Sequence, residues 1–170
     1  MKIRLLPLKK CINKRLYEMY QDIPKKEIGS SNEIYDKTYD EFLNICDNYI
    51  REEMIISEKL NTTTKRYILL IDNRPVGEVG IRTTLNDYWI NKGSQIFYKI
   101  RLSERNKGYG NIILREALRE AKKLSFNKIR INCNDNNIAS KKIIKSNGGV
   151  IDIVSYKSAD GNSSSYIIYL

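Results

Sequence analysis

Residues 101–110 read RLSERNKGYG, and this short stretch decides how the rest of the chain can fold. It holds three basic side chains and two glycines, between an apolar run over residues 96–102 and a long segment over residues 108–124. Apolar side chains recur at helical spacing in the long segment, with charged side chains on the opposite face. The stretch therefore predicts a tight basic turn that leads from a strand into a helix.

A turn of this kind is suited to binding an anion. The free N–H groups of a helix N-terminus, together with the helix dipole, attract negative charge. Gly108 and Gly110 lack the Cβ atoms that would keep an anion away, while Arg105 and Lys107 add positive charge. Two common phosphate motifs do not fit, because no G-x-x-x-x-G-K-[ST] string exists and Ile113 replaces the third glycine of G-x-G-x-x-G.

The order of the predicted elements indicates the fold class. From residue 66 onward we expect β-β-β-α-β-α-β-β over residues 67–71, 76–82, 95–102, 108–124, 128–133, 137–146, 150–156 and 166–170, with a loop at 158–165. A helix that connects neighbouring strands requires them to be parallel, whereas the hairpins are antiparallel. We therefore predict a single α/β domain over residues 1–170, with a mixed, mostly antiparallel sheet and flanking helices.

Residues 32–60 and residues 91–170 differ in charge. Residues 32–60 carry eight carboxylates and three basic side chains, whereas residues 91–170 carry 15 basic and 6 acidic side chains. Such polarity can steer a polyanion to one region and a cation to another.

The predicted elements near the N-terminus are a strand over 3–8, a helix over 9–21 and one or two helices over 35–60.

The composition excludes several kinds of active site. The chain has no histidine, so any proton transfer must use carboxylates, tyrosines, lysines or water, and no histidine-dependent metal site is expected. Cys11, Cys46 and Cys133 are widely spaced, which favours a reducing cytoplasm over disulfides or zinc. The absence of a long apolar stretch and of an apolar signal core predicts a cytoplasmic protein without a membrane partner.

Two motifs connect the turn to a known family. Residues 105–110, RNKGYG, resemble the R/Q-x-x-G-x-G/A motif of the GNAT superfamily of acyl-CoA-dependent N-acetyltransferases. Residues 137–140, NIAS, resemble the N-x-A-S segment that opens the family's next helix, and residues 98–105 are similar to a subgroup of predicted acetyltransferases. The similarity implies a coenzyme A-binding core over about residues 66–155, in which two central parallel strands splay apart.

The resemblance also implies how acetyl-CoA binds. Its pyrophosphate would contact the backbone amides of the turn, namely Arg105, Asn106, Lys107, Gly108, Tyr109 and Gly110. Its pantetheine arm would pair like an extra strand with the backbone of Ile100, Arg101 and Leu102, in the gap between the splayed strands. Asn137 would contact the pantetheine or phosphate region, and it also fits the N-cap position of the short helix.

The family's usual proton donor to the leaving thiolate is absent. The resemblance places that tyrosine seven residues after the asparagine that opens the short helix, where this chain has Ile144. Tyr98 is the nearest alternative by strand position. Glu78, between Gly77 and Val79 in mid-strand, is predicted to be the general base, with a water chain as the alternative. A backbone N–H of the strand before the turn would stabilise the oxyanion.

These observations predict an acetyltransferase. It would move an acetyl group from acetyl-CoA, without a metal, to a primary amine of a small molecule, protein or peptide by direct attack, as a monomer or homodimer. The acidic segment 32–60 is expected to border the acceptor entrance and favour cationic amines. Two alternatives remain. One is a basic nucleic-acid-binding domain, which is disfavoured because aromatic side chains do not alternate with the basic ones. The other is a GNAT domain that binds acyl-CoA without turnover.

Overall fold

A computed structural model of the protein describes residues 1–58, 61–91, 93–158 and 161–170. The strands are β1 (Ile3–Pro7), β2 (Lys26–Glu27), β3 (Ser30–Ser31), β4 (Thr64–Ile71), β5 (Arg74–Arg82), β6 (Ile96–Ile100), β7 (Lys128–Asn134), β8 (Val150–Ser158) and β9 (Gly161–Tyr169). The helices are α1 (Lys14–Gln21), α2 (Tyr39–Arg51), α3 (Asp87–Asn91), α4 (Tyr109–Lys123) and α5 (Ile138–Ser146).

The strands form two larger sheets that meet beside the start of β6. One is antiparallel in the order β1-β4-β5-β6, and the other is antiparallel in the order β7-β9-β8. Gln95 N–H donates to the Arg130 carbonyl oxygen at 2.9 Å, and Asn132 N–H donates to Ser94 Oγ at 3.2 Å. Because α4 connects β6 to β7, the two strands run parallel, and they separate beyond these contacts. The predicted mixed fold with a splayed central pair is confirmed.

The first sheet is covered on both faces by buried apolar side chains. One face packs against α4, with contributions from Leu69, Val79, Ile81, Ile113 and Leu114. The opposite face packs against α1 and α2, with contributions from Leu16, Met19, Phe42, Cys46 and Ile68. Full burial of a Leu, Ile, Val, Phe or Met side chain contributes about 1.5–3 kcal/mol. The two clusters therefore hold β5 and β6 firmly in place. None of the helices in the described part of the chain is long and apolar enough to cross a membrane.

The first helix is shorter than the sequence predicts. A 3₁₀ turn over Leu8–Lys10 comes first, and α1 begins only after Asn13. The Asn13 side chain accepts a hydrogen bond from Leu16 N–H at 3.1 Å. An asparagine at this position satisfies a free N–H of the first turn, so the helix starts there and not at residue 9.

The acidic segment forms one helix. Its start is set by a capping box, in which Thr38 Oγ1 accepts from Glu41 N–H and the Glu41 carboxylate accepts from Thr38 N–H at 2.8 Å. After Arg51 the chain turns toward the sheet, and the Glu52 carbonyl oxygen accepts from Thr64 N–H. The helix predicted over 35–60 is thus confined to α2, and Leu60 lies outside the described residues.

The predicted loop over residues 158–165 is wrong. Ser163, Ser164 and Ser165 belong to β9, where they pair with β7 and are 7%, 3% and 1% exposed. The serine-rich composition suggested a loop, but pairing with a neighbouring strand buries these small side chains. Residues 159 and 160 lie outside the described part of the chain, as does Lys92 next to α3.

Candidate active site

A cavity of about 800 Å³ opens where β6 and β7 separate. This volume is typical of small-molecule sites. Its walls come from β6, the turn after β6, the first residues of α4 and α5, and the β2–β3 hairpin. The predicted site residues that line it are Tyr98, Ile100, Arg105, Asn106, Gly108, Tyr109, Gly110 and Asn137. Those that the structure places outside the lining are Glu78, Arg101, Leu102 and Lys107.

The turn before α4 forms an open backbone cradle. Asn106 and Gly108 have left-handed φ angles of 61° and 81°. Gly108 is the N-cap residue of α4 and provides no side-chain cap, and a Cβ built on it would have no described atom within 4 Å beyond its neighbours. The Asn111 N–H donates to the Gly108 carbonyl oxygen, whereas the N–H groups of Tyr109 and Gly110 have no acceptor among the described residues and lie at the positive end of the helix dipole. This geometry fits an anion such as a pyrophosphate.

Gly110 has a second role that the sequence did not reveal. A Cβ at this position would lie 2.5 Å from Ile143 Cδ1 on α5. The missing side chain therefore lets α4 and α5 pack closely at the edge of the cavity. A substitution here would disturb this packing as well as the approach of an anion.

Both cations of the turn are paired with carboxylates. Arg105 donates two hydrogen bonds to the Glu27 carboxylate, at 2.6 and 2.8 Å, and one from Nε to the Ile100 carbonyl oxygen at 3.0 Å. Lys107 pairs with Glu104 at 2.9 Å. The bidentate contact ties the β2–β3 hairpin to the turn. Sequence reasoning missed Glu27, because a contact across 78 positions leaves no local pattern.

The register of the sheet shows which backbone groups of β6 face the cavity. Arg101 N–H donates to the Val76 carbonyl oxygen, so alternate residues 97, 99 and 101 direct their backbone groups to β5. Tyr98 and Ile100 consequently direct their N–H groups into the gap. The N–H groups of Arg101 and Leu102 are bonded within the chain, to the carbonyl oxygens of Val76 and Asp22. The pantetheine contact of Ile100, Arg101 and Leu102 stays a prediction, and the register adds Tyr98 as a candidate.

Asp22 connects the end of α1 to the same turn. Its carboxylate accepts hydrogen bonds from Arg101 Nε at 2.6 Å and from Ser103 N–H at 3.3 Å. Burial alone would raise the pKa of Asp22, but the hydrogen bonds from Ser103 and Arg101 lower it below its usual value. The charged carboxylate is thus the form that holds the turn.

Asp22→Asn is expected to lower the free energy of unfolding by about 1 kcal/mol at neutral pH, since it weakens hydrogen bonds to a charged group. Because the folded-state pKa is lowered, the stabilisation is complete above the ordinary carboxyl pKa of about 3.9 and is lost as the pH falls through the folded value. Urea unfolding of both proteins over a pH series measures this difference. A difference that persists unchanged at the acid end would contradict the assignment.

Tyr98 reaches into the cavity from β6. Its hydroxyl lies 2.9 Å from Ser140 Oγ, and burial raises the pKa of Tyr98 to about 12, so the phenol keeps its proton at neutral pH. Complete proton transfer to a thiolate of pKa near 8.5 would be uphill by about 5 kcal/mol. Tyr98 is therefore better suited to donating a hydrogen bond than to giving up its proton. Ile144, at the family's tyrosine position, is fully buried in the core.

Asn137 caps α5 and lies at the cavity wall. Its Oδ1 accepts from Ser140 N–H at 3.0 Å, and its Nδ2 donates to the Ile28 carbonyl oxygen at 3.5 Å. The predicted N-cap role is confirmed. Contact with the coenzyme stays a prediction.

Glu78 lies on the face of β5 that packs against α1 and α2. It is 1% exposed, and its Oε1 accepts from Arg66 Nη1 at 3.0 Å, while Lys99 Nζ lies 3.9 Å from its Oε2. Arg66 also contacts Glu52 at 3.4 Å. Glu78 can therefore act as a base only for an amine that enters from this face, and that role stays a prediction.

The splayed strands and the open helix N-terminus are the features that the sequence resemblance predicted for a coenzyme A-dependent transferase. The family model described as "Acetyltransferase (GNAT) domain" matches residues 20–150. The chain therefore belongs to the GNAT acetyltransferase family, and it is an acetyl-CoA-dependent N-acetyltransferase. Within the described residues, no group of three or more His, Cys, Asp or Glu side chains is arranged to hold a metal.

Several solved structures share this fold. RimL, a ribosomal L7/L12 alpha-N-protein acetyltransferase in complex with coenzyme A, is 15% identical with a TM-score of 0.74, over 100% of this chain and 95% of that one. MccE, a microcin C7 self-immunity acetyltransferase in complex with acetyl-CoA and AMP, is 15% identical with a TM-score of 0.73, over 99% and 93%. A spermidine N-acetyltransferase chimera from Vibrio cholerae and hSSAT is 14% identical with a TM-score of 0.66, over 99% and 94%. No curated protein matches the chain.

Proposed function

We propose that the protein acetylates a primary amine of a small molecule, protein or peptide by direct attack within a ternary complex with acetyl-CoA. The observation that carries this proposal is the open backbone cradle at Gly108, at the end of the cavity between β6 and β7. The cradle fits the pyrophosphate, and the N–H groups of Tyr98 and Ile100, which the register directs into the gap, fit the pantetheine arm. Asn137 would contact the same ligand from the start of α5.

The same residues can support acyl transfer. The amine nitrogen bonds to the carbonyl carbon of the thioester, the C–S bond breaks, and the departing sulfur takes up a proton. A backbone N–H of Tyr98 or Ile100 would stabilise the developing oxyanion. The amine proton would pass to Glu78 or to water, and the Tyr98 hydroxyl would donate a hydrogen bond to the sulfur.

The distribution of ion pairs disfavours nucleic acid as a partner. Basic side chains in the second half of the chain are paired with carboxylates, among them Lys107, Arg119, Lys123, Arg130 and Lys141. The pairing leaves the net charge of this half unchanged, but it makes these side chains less available to contact phosphate groups.

We also propose that the protein is a single domain over residues 1–170, with the acetyl-CoA-binding core over about residues 66–155. It would act in the cytoplasm without a membrane partner, as a monomer or homodimer. Cys11, Cys46 and Cys133 are buried free thiols, which is compatible with a reducing compartment.

Acetyl-CoA is expected to stabilise the protein against unfolding. At about 100 times its dissociation constant, it should add about 2.7 kcal/mol to the free energy of unfolding. Thermal unfolding with and without acetyl-CoA measures this effect, and release of the coenzyme thiol with a panel of amines measures turnover. No stabilisation at millimolar acetyl-CoA would contradict the site. Stabilisation without thiol release from any amine would favour a domain that binds acyl-CoA without catalysis.

A further inference from the structure

Arg82, at the end of β5, is held between two aromatic rings. Its guanidinium carbon lies 4.2 Å from the centre of the Trp89 ring and 5.2 Å from that of Phe97. Phe97 in turn lies against Gly80, where a Cβ would be only 2.1 Å from its ring. Stacking of this kind stabilises a partly desolvated guanidinium while leaving its hydrogen-bonding edge available.

No carboxylate among the described residues forms an ion pair with Arg82. Arg66, on the neighbouring strand, pairs with Glu78 at 3.0 Å. Arg82 Nη1 donates to the Ser94 carbonyl oxygen, and its buried Nε has no hydrogen-bond partner in the described part of the chain. Burial and the nearby charge of Arg66 lower the pKa of Arg82 to about 10, so it remains a cation at neutral pH. The Glu52 carboxylate, which pairs with Arg66, acts on Arg82 only at longer range, and a partly buried cation without a paired counter-charge is destabilising.

The position of Arg82 excludes the coenzyme pyrophosphate as that counter-charge. The Arg82 N–H donates to the carbonyl oxygen of Gln95, so Arg82 lies beside the first residue of β6. The cradle follows the last residue of β6. The five residues of β6 separate these ends by about 17 Å. Side chains alternate along β5, so Arg82 shares the face of Glu78, from which the amine would enter.

We propose that Arg82 binds an anionic group of the acceptor, so that the acceptor is an amine that also carries a carboxylate or a phosphate. This inference rests on the proposed function, because it assigns the substrate of the same site. Arg82 would meet the anionic group at the start of β6 while the amine lies near the middle of the strand. An acceptor with both charges several bonds apart fits this spacing.

The single tryptophan of the chain, Trp89, provides a direct test because it stacks on Arg82. Protein saturated with coenzyme A is titrated with four amines of the same chain length: aminocaproate, aminohexyl phosphate, hexylamine and hexamethylenediamine. Tryptophan fluorescence is expected to change at concentrations at least tenfold lower for one or both anionic amines than for hexylamine and hexamethylenediamine. Comparison of the two anionic amines distinguishes a carboxylate from a phosphate.

Two variants locate the effect. Arg82→Gln is expected to abolish the preference for anionic amines, and Arg82→Lys, which keeps the charge, to retain part of it. Arg119→Gln removes an exposed cation from α4 that pairs with Glu116, and it should keep the full preference. Thermal unfolding of each variant shows whether it is folded, and the comparison of amines on the wild-type protein stands without any variant.

The outcomes separate the inference from the proposed function. If both anionic amines give no stronger response than hexylamine, or if hexamethylenediamine gives the strongest response, the anionic acceptor is overturned, whether or not acetyl transfer is seen. A preference that survives in Arg82→Gln would overturn the assignment to Arg82. The proposed function would be contradicted if coenzyme A did not bind, or if no amine caused release of the coenzyme thiol. In that case the fluorescence titration is repeated without coenzyme A, and it still tests whether Arg82 binds an anionic amine.

Discussion

Glu78→Gln is expected to lower the turnover rate by about 10²–10⁴-fold with little change in acetyl-CoA affinity, as for loss of a positioned general base. Glu78 is not among the residues that line the cavity, so coenzyme binding should not depend on it directly. The same change leaves Glu52, whose Oε2 lies 3.4 Å from Arg66 Nη2, as the remaining carboxylate paired with Arg66 in the described residues. The free energy of unfolding should therefore fall by about 3 kcal/mol, because one partner of a buried ion pair is lost.

The two effects are measured separately. Steady-state kinetics give the turnover rate at a temperature where the variant is folded, and denaturant unfolding gives the stability. Glu52→Gln is the matched control, since it removes the other carboxylate of Arg66 from the less buried side of the ion pair. Glu52→Gln should lower the free energy of unfolding by less than Glu78→Gln does, and it should leave the turnover rate nearly unchanged. Near-wild-type turnover in folded Glu78→Gln would leave water as the proton acceptor.

Gly108→Val is expected to weaken acetyl-CoA binding by about 10- to 100-fold, which corresponds to one or two lost charge-assisted hydrogen bonds. The branched side chain would project into the open space above the first turn of α4, where the pyrophosphate is proposed to lie. The left-handed φ of 81° also makes the change costly to the fold, by about 1–2 kcal/mol. Titration calorimetry with acetyl-CoA measures the loss of affinity.

Gly148→Val is the matched control for this experiment. Gly148 has a φ of 85°, and a Cβ there would also meet no described atom within 4 Å, but it follows α5 and does not line the cavity. Both variants should lose similar stability, and only Gly108→Val should lose affinity. Equal affinity in the two variants would mean that the anion binds elsewhere. Gly110 is less suitable, because a side chain there would collide with Ile143.

The elements nearest the turn could be predicted well from the sequence. The apolar periodicity of α4 and the glycines before it identify the strand-turn-helix unit, and Asn137 identifies the start of α5, because capping and helical spacing are local properties. The serines of β9 were assigned to a loop, because their burial depends on the neighbouring strand β7 and not on their own propensity.

The sequence by itself determined the family, the fold class and the backbone cradle at Gly108, since each depends on short motifs and on the order of elements. Only the tertiary structure decided the partners of the charged groups. Arg105 is bound by Glu27, Glu78 is buried with Arg66, and Arg82 stacks between aromatic rings with no carboxylate paired to it in the described residues. These contacts join residues that are far apart in the chain, and electrostatic pairing depends on distance and burial in space. No local pattern records either quantity.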